Sequence, residues 1–263
     1  MGNRITERLS TMSKGQKLLV PFFTAGYPSV RATNEFVKAA ERAGADFVEL
    51  GVPFSDPLAD GPEIQFSSYD ALQKGITVRK ILELVRKLRG STSIPIILMG
   101  YYNPVLAYGA EKFLKDAARC GVDGLIVPDL PVEEADGLIR SARNHSISTI
   151  FLVSPTSSDE RIRIVDRACS DFVYAVTVTG VTGTGKKFDS RTDAYLKHLR
   201  NRTSKPFVAG FGVSSPESAG RLTRYSDGVV IGSALVKLIR TGSSTKQSVE
   251  KIERFLASVR EAI

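Results

Sequence analysis

The sequence predicts an α/β fold, a closed eight-stranded (β/α) TIM barrel, and three observations point there. Short apolar, β-prone runs alternate with helix-spaced segments eight times along the chain; that alternation argues for a parallel sheet, and a count of eight argues for closure. A small residue and an Asp mark the start of every second strand, at Gly44-Ala45-Asp46-Phe47, Gly121-Val122-Asp123-Gly124, Cys169-Ser170-Asp171-Phe172 and Tyr225-Ser226-Asp227-Gly228. A two-strand period suits a barrel whose interior layers come from alternate strands, and it places these Asp residues at the bottom face, where residues serve stability. The length, 263 residues, fits one such barrel, so residues 1–263 are expected to form a single domain.

Each element has its own signal. Ile5, Leu9 and Met12 have helical spacing and predict a leading helix. Strand one is Leu18–Thr24, ended by Ala25-Gly26-Tyr27-Pro28, after which Ser29 caps a helix over Val30–Ala43. Strand two is the apolar run Phe47–Val52, which Pro and Gly break into a loop reaching Pro62. Helices follow over Pro62–Lys74, stopped by Gly75, and from the Thr77 cap to Leu88. Strand three, Ile94–Gly100, leads through Tyr101-Tyr102-Asn103-Pro104 to a helix over Glu111–Cys120. Strand four, Gly124–Val127, is broken by Pro128-Asp129-Leu130-Pro131 and followed by a helix over Glu133–Arg143. Strand five is Ser148–Val153, with a helix over Asp159–Ala168. Strand six is Asp171–Thr177; a Gly/Thr loop, Thr179–Lys187, precedes a helix over Thr192–Arg202. Strand seven is Pro206–Ala209, with Gly210-Phe211-Gly212 after it and a helix over Pro216–Arg224. Strand eight is Gly228–Ile231; Gly232-Ser233 opens a short extra helix near Leu235–Ile239, and Thr245–Ala262 forms the last.

Composition narrows the function classes. Hydrophobic residues make up 42% and charged residues 24%, ordinary for a globular protein. No apolar run is long enough to span a membrane. The first residues are polar and carry no signal-peptide core, so a cytoplasmic location is expected. Cys120 and Cys169 are too few for a disulfide framework and read as small buried residues. The net charge of +8 suits a basic surface or an anionic substrate. The basic residues are scattered, Trp is absent and no basic-aromatic motif occurs, so nucleic acid is not an expected partner. No Cys/His/Asp/Glu grouping has metal-ligand spacing, and no metal is expected.

Chemistry in such a barrel belongs at the strand C-terminal ends. Strand alternation puts Phe47, Glu49 and Gly51 on one face of strand two. A carboxylate inside a strand costs several kcal/mol unless paired or protonated. Glu49 is assigned to the lumen, Asp60 to the loop above it, Tyr174 to strand six, and Tyr101 and Tyr102 follow strand three. Singly, Asp60 reads as a turn cap and Tyr174 as a packed aromatic; together, two carboxylates and a phenol at one mouth suit acid/base catalysis. Gly210-Phe211-Gly212 and the helix start at Gly232-Ser233 have the placement of a barrel phosphate site. Gly180–Lys187 nearly matches a nucleotide P-loop, but Lys187 stands where Ser/Thr would hold magnesium, and the segment reads as a lid or phosphate-side loop instead. Strands without Lys argue against a Schiff-base aldolase.

Several motifs resemble the tryptophan synthase alpha subunit family over essentially the whole chain. They are Pro21-Phe22 with Thr24-Ala25-Gly26; Glu49-Leu50-Gly51-Val52-Pro53-Phe54-Ser55-Asp56-Pro57 with Asp60-Gly61-Pro62; Val127-Pro128-Asp129-Leu130-Pro131; Gly180-Val181-Thr182-Gly183; and Gly210-Phe211-Gly212-Val213-Ser214. The resemblance implies a β/α barrel that cleaves indole-3-glycerol phosphate to indole and glyceraldehyde 3-phosphate without metal or cofactor. Glu49 would be the general acid/base, and Asp60 the acid that holds the indole N–H. Tyr174 would contact the reacting region. Phe22, with Tyr101 and Phe211, would line the substrate site. Gly183, Gly212, Gly232 and Ser233 would hold the phosphate. Apart from the resemblance, the lid reading of the Thr179–Lys187 loop makes Thr182 its latch, since the hydroxyl could reach Asp60. Val178 stands where some members carry Arg, which leaves any ion pair of that Arg without its cation. A pyridoxal-phosphate beta subunit is the implied partner, in an α2β2 complex, with the Pro53–Asp60 loop and the segment after strand six facing it. A stand-alone lyase and a catalytically silent partner-binding barrel are the other readings.

Overall fold

A computed structural model describes residues 3–177, 190–210 and 212–263. Nine parallel strands form one sheet: β1 (Leu18–Thr24), β2 (Val48–Gly51), β3 (Ile96–Met99), β4 (Gly124–Ile126), β5 (Ser148–Ile150), β6 (Leu152–Val153), β7 (Val173–Val176), β8 (Phe207–Gly210) and β9 (Gly228–Ile231). Their order is β5-β4-β3-β2-β1-β9-β8-β7-β6. Only Phe151 separates β5, which pairs with β4, from β6, which pairs with β7. The two are therefore one passage of the chain, and that passage closes the ring. The expected strand over Ser148–Val153 is split because the Phe151 N–H leaves the ladder and donates to Cys169 Sγ at 3.2 Å.

The bottom of the barrel explains the two-strand repeat. Three of the four Asp residues that precede alternate strands take a backbone N–H at the start of the strand before their own. Leu19 N donates to Asp46 at 2.7 Å, Ile96 N to Asp123 at 2.8 Å and Phe207 N to Asp227 at 2.9 Å. Asp171 does the related job through side chains, accepting from the Ser148 and Thr6 hydroxyls. The helix Arg4–Ser10 then lies across this end. Its Arg4 pairs with Asp123 and its Arg8 with Asp46, while Arg89 and Arg260 reach the same two carboxylates. Ile5 is fully buried beneath it. Buried carboxylates with two cations and a backbone N–H apiece are compensated charges, and these hold the floor shut.

The helices cover the sheet with faces that the sequence spacing marks, such as Phe36, Val37 and Ala40 on Val30–Arg42 and Ile81, Leu84, Val85 and Leu88 on Val78–Leu88. Gly75, the predicted stop, has φ +72. Three details depart from expectation. Tyr102–Tyr108 is a helix rather than a plain break; Pro104 lies in its first turn, where the missing N–H would have had no partner. A 3-10 turn, Val132–Glu134, precedes the helix Asp136–Asn144. Cys169 is buried as expected, but Cys120, on the last turn of Ala110–Cys120, is half-exposed.

Candidate active site

β2 delivers Glu49 to the lumen. Its register neighbours are Phe22 on β1 and Ile97 on β3. Gly51, two residues on and on the same face, has the Phe22 ring so close that an added Cβ would sit 2.4 Å from Cζ. The absent side chain lets Phe22 lie across the end of β2, above Glu49. Glu49 is 0% exposed, and neither carboxyl oxygen has a hydrogen-bond partner. Burial alone pushes its pKa up to about 8, because removal from water penalises the charged form.

Tyr174 reaches the same space from β7. A Cβ on Gly210, at the end of β8, would lie 2.1 Å from its hydroxyl, so the phenol passes directly over that glycine. Burial, and then the charges of Glu49 and Asp60, hold Tyr174 protonated well above the ordinary range. The three groups singled out in the sequence are thus within electrostatic reach of one another.

Asp60 sits half-buried on the loop between β2 and the helix Pro62–Gln73. Desolvation raises its pKa to about 6, opposed by a hydrogen bond in which the Tyr101 hydroxyl donates to Oδ2 at 3.2 Å. The same hydroxyl accepts from Ala59 N at 2.9 Å. Burial, then the charge of Asp60, keeps Tyr101 protonated far above neutrality. Tyr101, expected among the substrate contacts, has its hydroxyl engaged by the loop.

On the far side, Gly212 has φ +80. Gly232 caps the helix Ser233–Arg240 without any side-chain cap bond. The N–H groups of Leu235 and Val236 bond back to the Gly232 carbonyl, so the first N–H groups of the helix, at Ser233 and Ala234, point onward as an anion-binding end would. Gly232 lies against Phe22, an added Cβ meeting its ring at 3.5 Å. Phe22 therefore joins the two halves of the site: Glu49 on one side, the helix start on the other.

Thr182, Gly183 and Phe211, with Val178 and the Thr179–Lys187 loop, lie outside the described residues. Four other residues bear on the site and were not singled out for it. Gln65 Nε2 donates to the Asp60 carbonyl at 2.9 Å. Phe54 packs on the Tyr101 ring, centroids 5.2 Å apart. Ala59 contributes only its backbone. Asp129, just after β4, accepts the Tyr102 N–H at 2.9 Å; its place behind a strand end, between two prolines, was the available signal. Among the described residues no His/Cys/Asp/Glu group could hold a metal, and no helix is long and apolar enough to cross a membrane.

A groove of about 520 Å³ opens between the loop residues Phe54–Leu58 and Gln65, Tyr69, Leu72 and Gln73 of the next helix. Leu58 beside it is 86% exposed and Tyr69 64%.

The sequence model of the family described as Tryptophan synthase alpha chain matches residues 9–263. A tryptophan synthase alpha chain from Pelobacter propionicus is 46% identical over 262 residues, spanning 99% of this chain and 98% of its own. Another, from Citrifermentans bemidjiense, is 47% identical with the same coverage. The crystal structure of tryptophan synthase subunit alpha from Legionella pneumophila superposes with a TM-score of 0.92 at 34% identity, covering 100% of this chain and 99% of that one. A chain from a structure of the Pyrococcus furiosus tryptophan synthase a2b2 complex gives 0.86 at 37% identity, covering 93% and 98%.

Proposed function

Since this chain belongs to the tryptophan synthase alpha chain family, we propose that Glu49 and Asp60 carry the proton chemistry of the family reaction. The chain is a carbon-carbon lyase of tryptophan biosynthesis, splitting indole-3-glycerol phosphate into indole and glyceraldehyde 3-phosphate. The observation that carries the assignment is the orphaned carboxyl of Glu49, fully buried at the barrel mouth with no partner for either oxygen.

The two acids are pushed to different values, Glu49 to about 8 and Asp60 to about 6. Between them Glu49 holds its proton and Asp60 has lost its own, and a pair separated in this way divides acid and base roles. Protonated Glu49 gives its proton to indole C3, and the ring becomes a positively charged indolenine. Asp60, as carboxylate, accepts the ring N–H and stabilises that charge. Glu49, now a carboxylate, takes the proton of the glycerol hydroxyl next to the ring. The electrons of that O–H bond form the aldehyde, the carbon–carbon bond breaks, and its pair returns to the ring as indole. Protons balance and Glu49 ends as it began. Tyr174 and Phe22 hold the ring; Gly212, Gly232 and Ser233 receive the phosphate, leaving the helix dipole to favour the anion.

A beta subunit is the partner that fits this family, in an α2β2 assembly, and we place part of its contact on the Pro53–Asp60 loop. Leu58 and the groove beside it present apolar surface there, and contact would bear directly on Asp60. We read residues 1–263 as one catalytic domain, working in the cytoplasm. Incubating the protein and its Glu49→Gln and Asp60→Asn variants with indole-3-glycerol phosphate, with and without a beta subunit, and measuring indole tests the assignment. Loss of a general acid/base lowers turnover by ~10²–10⁴; near-normal turnover in folded Glu49→Gln would sink it.

A further inference from the structure

Asp60 lies on a loop, and a loop carboxylate is useful to catalysis only when something fixes it. The Tyr101 hydroxyl spans one peptide unit of that loop, accepting from Ala59 N at 2.9 Å and donating to Asp60 Oδ2 at 3.2 Å. Its ring is nearly buried at 7% exposure and packed at a tilt against Phe54, a residue of the same loop. From below, the Tyr101 backbone is held in turn. Tyr102 N donates to Asp129 Oδ1 at 2.9 Å, which fastens the start of the helix Tyr102–Tyr108 to the loop after β4. A continuous set of contacts therefore runs from β4 through Asp129, Tyr102 and Tyr101 to the catalytic loop.

We propose that Tyr101 is a positioning residue for Asp60, with its phenol clamping the Ala59–Asp60 corner and Asp129 anchoring the phenol. This rests on the reading of Asp60 given above. The clamp commits Oδ2 and so turns Oδ1 toward the substrate N–H. It also sets the charge state. A donor to the carboxylate favours its ionised form, and here it opposes the desolvation that raises Asp60. The other titratable groups near the site are Glu49 on β2, Tyr174 on β7 and Asp129, which faces Tyr101. The remaining loop acid, Asp56, is exposed and bonded to Ser55.

The test is the pH profile of kcat/KM for indole-3-glycerol phosphate cleavage by the full chain. Tyr101→Phe keeps the ring on Phe54 and removes only the hydroxyl. The acid limb is expected to move upward by about one pH unit, and kcat to fall about tenfold with KM little changed. Asp129→Ala should move the limb the same way by less. Asp129→Asn keeps an acceptor for the Tyr102 N–H and should restore the wild-type profile. A Tyr101→Phe protein of unchanged thermal stability whose acid limb has not moved overturns the proposal. So does a rise in KM alone at every pH, which would make Tyr101 a plain substrate contact. An Asp129→Ala limb at the wild-type position overturns the anchoring by Asp129. Asp60→Asn separates the two levels: if it turns over normally, the reading of Asp60 falls and this proposal with it; if it is crippled while Tyr101→Phe is normal, only the proposal falls.

Discussion

Glu49→Gln is expected to make the protein inactive and more stable, by an amount that grows with pH. In the unfolded chain a Glu titrates near its ordinary value of 4.5; in the folded protein burial raises Glu49 to about 8. Below the lower value both states hold the proton and nothing is lost. As pH rises, the unfolded chain releases the proton and the folded one must keep it, so stability falls by about 1.36 kcal/mol per pH unit. The loss stops above the folded value, where both states are ionised. At pH 7 the cost is on the order of 3 kcal/mol, and by pH 9 on the order of 5. Gln has nearly the same shape and no proton to lose, so it escapes this cost. Subtracting the denaturant unfolding free energies of the two proteins at pH 5, 7 and 9 cancels the groups they share. The variant's advantage should widen across that series, and at pH 7 its Tm should be higher by roughly 5–10 °C. A pH-independent difference would refute the reasoning, since it would mean that the Glu49 carboxyl finds water or a partner and is not the orphan that the geometry makes it.

Cleavage by the unmodified protein should show a bell-shaped kcat/KM profile, rising near pH 6 as Asp60 ionises and falling near pH 8 as Glu49 loses its proton; a basic limb absent up to pH 10 would contradict the acid role of Glu49. Asp46→Asn breaks a carboxylate held by Arg8, Arg260 and the Leu19 N–H, and should cost about 3–5 kcal/mol in denaturant unfolding while folded protein keeps its kcat. Gly232→Ala has room, with its nearest contact at 3.5 Å, so it should leave stability within about 1 kcal/mol and yet raise KM and weaken inhibition by inorganic phosphate. Gly210→Ala has none, since its Cβ would lie 2.1 Å from the Tyr174 hydroxyl; displacing that ring should cost about 1–3 kcal/mol and turnover together, measured by unfolding and by indole release.

The sequence carried the frame of this molecule because the frame is periodic. Eight apolar runs separated by helical spacing are local signals, and the Asp before alternate strands repeats because three of the four satisfy an N–H at the start of the neighbouring strand. Glu49 was legible for a different reason: a carboxyl on the inward face of an apolar strand must be paired or protonated, and Asp60 and Tyr174 expected at the same mouth turned that from a structural reading to a functional one. What escaped was the break at Phe151, which depends on Cys169 Sγ from a segment 18 residues away, and the helix at Tyr102, whose first N–H is met by Asp129 from another loop. Neither partner is marked by spacing.

The same distinction separates Asp60 from the residues that hold it. An acid in a Pro/Gly-rich loop can be noticed in a sequence, but its orientation is set by Tyr101, Gln65 and Phe54, which come from the turn after β3, the next helix and its own loop. The placing of charge at the two ends also explains how the barrel tolerates the buried Glu49 carboxyl. Stability is concentrated at the floor, where Asp46 and Asp123 each have two cations and a backbone N–H. The mouth is left with a carboxyl that folding would be better without. A floor held by compensated charges can carry an uncompensated one at the other end, on the order of 3 kcal/mol at neutral pH. That unmet cost is what keeps a proton on Glu49 where the substrate carbon would meet it.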